Sequence, residues 1–279
     1  MLKSSHDFSY SHYREILSKA LKEDYSFVTF DQCKRLPRTK QIVLRHDVDV
    51  SLDHAVKMAQ IEHHMGIKST YFLMLHSRFY NLLDEKSLEL VQRFVELGHE
   101  IGYHYDLEIL GRKPAKILPI EVAFVSSIIG VPISVVALHN PTFQRQRFKS
   151  PKNDAYSDQF FRRLKYVSDS LQLWREGCLC HQLNRHPRIQ ALIHPIWWSN
   201  SGKHWREILR DRKNQEDRSL SNRFKAYERF IGTSRRLRVT SDNKFNVSLS
   251  SNRIQSKPSR LKRVLSKSEP LRSEREMRV

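Results

Sequence analysis

The strongest constraint on the fold of this chain is a series of short apolar runs that each end in a carboxylate or an imidazole. The runs alternate with helical patterns, which favours parallel strands joined by right-handed crossovers. The side chains that follow the runs are Asp47 and Asp49, His104, His139, Asp169 and His194. In a β/α barrel the carboxyl ends of the parallel strands meet on one face, where active sites are built. The pattern therefore predicts an α/β barrel with these side chains in one pocket.

Helical periodicity fills the segments between the runs. Apolar residues at helical spacing predict an amphipathic helix over residues 10 to 24 and further helices over 51 to 65, 85 to 98 and 115 to 129. Gly66 follows the second of these helices, where glycine commonly ends a helix. The unit of strand, charged loop and helix thus recurs along the chain.

Basic charge is concentrated at the C-terminal end. From Ser201 onward there are 22 Lys and Arg against nine Asp and Glu, so 13 of the net charge of +19 lies in the last 79 residues. From about Thr233 the chain is also too poor in apolar residues to offset the entropy of ordering. We expect a barrel domain over residues 1–232 and a basic, poorly ordered tail over 233–279. Such a tail is either solvated or contacts an anionic polymer, such as nucleic acid, or a membrane surface.

Cysteine usage and hydropathy bear on the compartment. Three cysteines are too few and too unevenly spaced for a secreted disulfide framework. The N-terminus lacks the apolar segment of a secretory signal, and no stretch approaches the roughly 18 to 20 apolar residues of a membrane span. These features predict a soluble, cytoplasmic protein with at most peripheral membrane contact.

Further metal-capable side chains lie in the segment "CLCHQLNRH", namely Cys178, Cys180, His181 and His186. Structural zinc sites more often separate their cysteines by two residues. A Cys-Leu-Cys segment on a strand would put both thiols on one face of it. The sequence therefore does not favour a second metal site here.

The segment "RHDVD" places Asp47 and Asp49 one residue apart at the end of a strand. When two carboxylates are so spaced, one can ligate a cation and the other can accept a proton from water. An Asx-rich turn or a helix N-cap before "SLDHAV" would use the same residues. Taken alone, this segment leaves both interpretations open.

The segment "GHEIGYHYDLE" adds a second set of ligand types. His104 ends a predicted strand, and a neutral imidazole suits zinc and similar metals. Glu108 falls one helical turn later if a helix begins there. A carboxylate, a histidine and a second carboxylate could then surround one divalent cation.

Five segments in order resemble the motif series of the polysaccharide deacetylase superfamily, which includes carbohydrate esterase family four. They are "IVLRHDVDV", "GHEIGYHYD", "ALHNP", "YVSDSLQLWREG" and "LIHPIWW". The resemblance covers about residues 40 to 200. It implies an irregular, seven-stranded (β/α) barrel.

The resemblance implies roles for the first two motifs. Asp47 would be the general base and Asp49 a ligand of the metal, usually zinc, although the intervening Val48 departs from the family's adjacent aspartates and leaves the two roles exchangeable. His104 would be the first metal histidine. Glu108 stands where the family has its second histidine, so either Glu108, Asp106 or His139 would complete the ligand set.

The later motifs imply the remaining catalytic residues. Asp169 resembles the aspartate that orients catalytic side chains. His194 corresponds to the histidine of the last strand, which serves as the general acid, and a neighbour such as Asp169 would set its tautomer and pKa. Both belong to the catalytic set with Asp47.

Four residues are candidates for binding substrate. His139 lies where the family has a substrate-facing strand end, and Asn140 could donate to an oxyanion, although Asn-Pro is also a common turn. Trp174 and Trp198 are candidate surfaces for stacking on a sugar, although tryptophan is as often buried in a core.

The resemblance implies a metal-dependent hydrolase of a non-peptide C–N bond, acting as a carbohydrate N-deacetylase in polysaccharide metabolism. The alternative is a non-catalytic barrel that binds an anionic glycan or scaffolds a biosynthetic complex. Glu108 in place of histidine is the feature that keeps this alternative open.

Overall fold

A computed structural model of the chain describes residues 7–33, 40–141, 148–150 and 153–234. The chain divides into two compact units, residues 1–218 and 219–279. The features expected of the basic tail fall almost entirely outside the described residues, and they stay predictions. None of the described helices is both long and apolar enough to cross a membrane.

The described residues form nine α-helices and eight strands. The strands are β1 (Ser26–Val28), β2 (Gln41–Val48), β3 (Thr70–Leu73), β4 (Glu100–Tyr105), β5 (Val135–Leu138), β6 (Asn153–Asp154), β7 (Lys165–Ser168) and β8 (Arg188–Ile193). The helices are α1 (Tyr10–Lys22), α2 (Phe30–Cys33), α3 (Leu52–His64), α4 (Glu85–Glu96), α5 (Leu107–Leu110), α6 (Pro114–Ile129), α7 (Asp158–Phe161), α8 (Leu179–Gln182) and α9 (Trp205–Ser234).

The strands form a single parallel sheet that curls into a half-barrel. Seven strands follow one another in the order β6-β5-β4-β3-β2-β8-β7, and β1 pairs with the first half of β2 outside this path. Every ladder is parallel. The predicted α/β fold with a seven-stranded, irregular barrel is confirmed.

β2 lies at the centre of the sheet and is buried along its whole length. Its neighbours β3 and β8 pair with it in register at Arg45↔Thr70 and Ile42↔Ile189. Successive side chains on a strand point to opposite faces. Arg45 and Asp47 therefore share the face toward the inside of the curl, and His46 points to the opposite face.

Capping hydrogen bonds, proline and glycine explain where the helices begin and end. The Ser51 side chain accepts a hydrogen bond from the His54 amide, so it satisfies one of the free N–H groups at the start of α3. α6 has Pro114 in its first turn, and Gly130 ends it in the left-handed conformation that glycine adopts without strain. All four helices predicted from periodicity are present within a few residues of the expected bounds.

Shorter elements were not foreseen. The strands β1 and β6 have three and two residues, too few for an alternating pattern to be read from sequence. The Cys-Leu-Cys segment lies at the start of a short helix and not on a strand. Cys178 caps the short helix α8 and Cys180 lies inside it.

A cluster of buried polar side chains lies behind β2, between the sheet and the helix α3. Glu62 of α3 is its centre and is wholly buried. Four groups donate to or pair with its two oxygens: the Tyr13 hydroxyl at 2.6 Å, the Ser69 hydroxyl at 2.5 Å, the Tyr71 hydroxyl at 3.0 Å and His46 Nε2 at 2.7 Å. We call this set the Glu62 cluster.

Candidate metal and catalytic site

The predicted strand-end residues come together at the carboxyl end of the sheet. Asp47 and Asp49 stand at the end of β2, and His104 lies on β4. His139, Asp169 and His194 directly follow β5, β7 and β8. His104 Nε2 lies 3.2 Å from Asp49 Oδ1, and His194 Nε2 lies 3.9 Å from Asp49 Oδ2. Since these elements are neighbours in a parallel sheet, one edge collects all of the side chains.

Asp49, His104 and His139 form a set with metal-ligating geometry, which we call the ligand cluster. One donor atom from each residue lies within 4.8 Å of the other two. The rings of the two histidines meet edge to face, with their centroids 5.3 Å apart. One carboxylate oxygen and two imidazole nitrogens are donors typical of a zinc-type ion.

His104 Nε2 and Asp49 Oδ1, two atoms of this cluster, are positioned to share a cation. His104 Nδ1 lies 2.9 Å from the Ala137 carbonyl oxygen, which fixes the tautomer with Nδ1–H as donor in the neutral ring. The lone pair of Nε2 then faces Asp49 Oδ1. That oxygen is buried, and among the described residues its partner is His104, which lowers the pKa of Asp49 against the effect of burial. Two acceptors facing each other in a buried place fit a divalent ion between them.

His139 is held by a carboxylate on its far side. His139 Nδ1 lies 3.1 Å from Asp106 Oδ2, and the other Asp106 oxygen accepts from the Glu108 amide at the start of α5. A carboxylate behind a ligating imidazole orients the ring and raises its basicity. Asp106 is therefore placed to orient His139, and which of these two residues would complete the ligand set stays a prediction.

Asp47 is engaged by Arg45, its neighbour on the same face of β2. Arg45 Nε and Nη2 each lie 2.8 Å from one Asp47 oxygen, so the pair is bidentate. Burial works against the charged carboxylate, but Arg45 and then His104 outweigh it and lower the pKa of Asp47. Asp47 is thus held ionised and fixed in orientation, with Oδ2 3.4 Å from His104 Nε2.

The buried Arg45 is accommodated by groups on three other strands and loops. Its guanidinium lies over the rings of Tyr156 and Phe72, at 4.5 and 5.2 Å from the ring centroids. Gln190 Oε1 accepts from its Nη1 at 3.3 Å. Phe72 fits only because its partner on β4 is Gly102, where an added Cβ would lie 2.5 Å from the phenyl ring.

His194 is oriented by Asp169, as the resemblance implied. The Asp169 carboxylate is fully buried and accepts from His194 Nδ1 at 2.7 Å, from the His194 amide and from Trp198 Nε1 at 2.9 Å. Burial disfavours the charged ring, but the hydrogen bond and charge of Asp169, then Asp49, raise the pKa of His194 to about 9. The imidazolium therefore predominates at neutral pH, with Nε2 directed at the ligand cluster.

Two expected site residues lie elsewhere. Glu108 is exposed, and its Oε2 lies 3.8 Å from Arg78 Nη2; the structure does not bring it to Asp49 and His104. Trp198 was expected to stack on substrate but is wholly buried. This is a correction with a clear cause, because a large apolar ring with one N–H donor is stable in a core where Asp169 accepts from it.

Of the two remaining candidates, Asn140 contacts a residue of the site and Trp174 packs against a core cluster. Asn140 is exposed with a positive φ of 48°, and its amide nitrogen lies 3.4 Å from His139 Nδ1. Trp174 is half-buried with its ring stacked on Phe8. A contact of either residue with substrate stays a prediction.

Arg45, which engages both oxygens of Asp47, was not among the residues predicted from sequence. It precedes Asp47 by two positions in "RHDVD", and alternation along a strand puts such residues on one face. That spacing was the available signal for the pair.

No protein-family model matches the chain, and no curated protein matches it in sequence. Solved structures are similar to it. A family 4 carbohydrate esterase from Bacillus anthracis is 15% identical with a TM-score of 0.39, over 76% of this chain and 90% of that one. The Xyl-CE4 domain of a multidomain xylanase from the hindgut metagenome of Trinervitermes trinervoides is 16% identical with a TM-score of 0.41, over 63% and 84%.

A CE4 family pseudoenzyme from Bacillus anthracis is also similar, at 14% identity and a TM-score of 0.39, over 64% of this chain and 63% of that one. At identities and TM-scores this low, the likeness carries no statement about the activity of this chain.

Proposed function

We propose that this chain is a divalent-metal-dependent hydrolase that cleaves a non-peptide C–N bond and removes an N-acetyl group from a sugar. The observation that carries the proposal is the convergence of a metal-type donor set and an oriented imidazolium on one edge of the sheet. Asp49, His104 and His139 supply the donors, and His194 supplies the proton.

The ligand cluster would hold the ion. Zinc is the best match to these donors, and a divalent ion held there would supply Lewis-acid polarisation of an amide carbonyl. Asp106 and the Ala137 carbonyl keep the two histidine rings in position from behind.

The side chains divide the proton transfers between them. Asp47 is ionised and accepts the proton of the attacking water, while Arg45 fixes its orientation. His194 donates from Nε2 to the amine nitrogen as the C–N bond breaks, because its Nδ1 is bound to Asp169. The products are acetate and the free amine of the sugar.

The carbohydrate substrate and the metabolic setting come from the motif resemblance. The site itself supports cleavage of an amide, because an amine leaving group needs a proton donor and His194 is one. Asn140 and Trp174 are the candidates for contacts with the substrate beyond the reacting bond.

A second candidate function is a non-catalytic barrel that binds a glycan. One observation favours it: both Asp47 oxygens are engaged by Arg45, and the lowered pKa weakens Asp47 as a base. The two candidates differ in whether the chain turns substrate over when supplied with metal.

The test uses full-length protein, freed of divalent ions with a chelator and reloaded with zinc, cobalt or manganese. Acetate release from an oligomer of N-acetylglucosamine is measured for the wild type and for Asp49→Asn. We expect the wild type to release acetate only with metal. Asp49→Asn should lose about 10³-fold in kcat/KM, because metal catalysis contributes several kcal/mol.

Asp53→Asn is the matched control, since it makes the same chemical change four residues later in the first turn of α3. It should keep wild-type turnover. Full activity in Asp49→Asn would contradict the proposed site. A wild type that releases no acetate with any of the three metals, yet retains the oligomer, would favour the binding function.

A further inference from the structure

A second group of metal-capable side chains lies between α1 and α8, and the proposed hydrolase does not use it. His12 Nε2 lies 3.4 Å from Cys178 Sγ, and Cys178 Sγ lies 3.1 Å from Cys180 Sγ. The three donor atoms lie within 4.8 Å of one another. His12 and Cys178 are buried, and Cys180 is half-buried. We call these three residues the thiol cluster.

The separations are close to those around a tetrahedral zinc ion. Bond lengths of about 2.3 Å to sulfur and about 2.0 Å to nitrogen place two sulfurs about 3.8 Å apart and a sulfur and a nitrogen about 3.5 Å apart. The observed distance of 3.4 Å from His12 Nε2 to Cys178 Sγ already matches. The two sulfurs, 3.1 Å apart, would have to separate by about 0.7 Å, which a side-chain torsion of the half-buried Cys180 can supply.

His12 is also positioned as metal-ligating histidines are. Its other ring nitrogen, Nδ1, lies 3.5 Å from Glu15 Oε2, one helical turn further along α1. A carboxylate on the far nitrogen leaves Nε2 directed at the sulfurs. The ring also lies against Trp198, with centroids 6.5 Å apart and an angle of 18° between the planes. The histidine therefore has a fixed direction.

A disulfide is the competing use of the two cysteines. The sulfurs lie well beyond the roughly 2.05 Å of an S–S bond. A disulfide would also not explain why His12 Nε2 is directed at the two sulfurs. Two sulfurs and one imidazole nitrogen around one point are instead the soft and borderline donors that thiophilic metals select.

From this geometry we propose that His12, Cys178 and Cys180 bind a thiophilic divalent cation of the zinc class, with a fourth position open to water. The ion would bridge α1 and α8, where Lys19 Nζ already donates to the Cys180 carbonyl at 2.9 Å. Sequence could not single out His12, because 166 positions separate it from Cys178. The site is independent of the proposed hydrolase activity.

Cadmium alone is the probe, added to the reduced full-length protein. Thiolate ligation of cadmium gives an ultraviolet charge-transfer band, and the ligand cluster is silent in this band because it has no sulfur. We expect the wild type to give the band and to saturate at a single site per chain. Cys180→Ser should abolish it, and His12→Gln should weaken binding by at least about 10-fold.

Cys33→Ser is the matched control, because Cys33 is a buried thiol that contacts Arg188 and belongs to neither metal-capable group. It should bind cadmium as the wild type does. Absence of the band in reduced wild type would overturn the proposal. So would a band that persists in Cys180→Ser, or an affinity unchanged in His12→Gln. Circular dichroism of each variant shows that it is folded before the comparison is made.

Discussion

The two faces of β2 each carry buried carboxylates and histidines, but the two groups are built differently. Behind the strand, Glu62 accepts from three hydroxyls and pairs with His46, so both of its oxygens are satisfied by the protein. On the other face, Asp49 Oδ1 is buried, and in the described part of the chain its partner is an imidazole, His104 Nε2 at 3.2 Å. Both carboxylates have lowered pKa values despite burial.

The difference shows that burial and a shifted pKa do not by themselves identify a functional site. Structural networks also shift pKa values. What distinguishes the carboxylate of Asp49 is that its partners are imidazole nitrogens, His104 Nε2 at 3.2 Å and His194 Nε2 at 3.9 Å, at an edge where five strands end. Imidazole nitrogens and a carboxylate can be shared with a metal ion, whereas the hydroxyls around Glu62 only donate to it.

The largest expected difference between the two faces of β2 is in the free energy of unfolding when their carboxylates are replaced. Glu62→Gln removes the charge that His46 and the hydroxyls surround, and breaking a buried pair typically costs about 3 to 5 kcal/mol. Denaturant unfolding should show this loss. Asp49→Asn, measured in protein free of divalent ions, should lose less stability than Glu62→Gln, because the Asp49 side chain is 22% exposed and that of Glu62 is wholly buried.

This comparison fails if the two variants lose equal stability, because Asp49 would then be a structural residue of the same kind as Glu62. Zinc affinity provides the second measurement. Glu62→Gln that remains folded should bind zinc at the front as the wild type does.

A somewhat smaller effect is expected on the pH dependence of stability. Burial raises the pKa of Glu62, but His46 and then His99 outweigh it and lower the pKa from 4.5 to about 2. This contribution is present above about pH 4.5 and is lost as the pH falls toward 2. Asp169 raises the pKa of His194 from 6.5 to about 9, against burial. That contribution is present below about pH 6.5 and is lost as the pH rises through 9.

Each shift corresponds to about 3 kcal/mol, so ion-free protein should lose stability on both the acid and the alkaline side. His194→Gln should reduce the loss of stability on the alkaline side alone, where the raised pKa of His104 still contributes. Glu62→Gln should reduce the loss on the acid side alone, where the lowered pKa values of Asp47 and Asp49 still contribute. Unfolding curves between pH 2 and 9 measure both limbs. A wild-type stability that is constant from pH 6.5 to 9 would contradict the assigned state of His194.

Much of the candidate site could be predicted from sequence, because each of its residues is marked by the apolar run that precedes it. Asp49, His104 and His194 each end an apolar run, and parallel strands bring such ends together. The pairing of Asp169 with His194 followed from the motif resemblance. The back of the sheet gave no such signal, because Glu62 lies in an ordinary helical pattern.

The third metal ligand could not be predicted from sequence, because its identity depends on the path of the chain after β4. A helical turn after His104 would point Glu108 at the metal only if the helix continued the strand. Asp106 instead caps α5 and turns Glu108 outward, while the end of β5 carries His139 in. The prediction that Trp198 stacks on substrate was wrong for a similar reason. How deeply its ring lies in the core depends on the packing of Phe8 and Tyr13 around it.

The most direct test of the ligand cluster is a calorimetric zinc titration of ion-free protein in which Cys180→Ser has removed the thiol cluster. In that background His139→Gln should weaken zinc binding by at least about 100-fold, because losing a ligand costs more than losing a group behind one. Glu108→Gln should bind zinc with unchanged affinity. The reverse result, with Glu108→Gln losing zinc and His139→Gln keeping it, would contradict the site described.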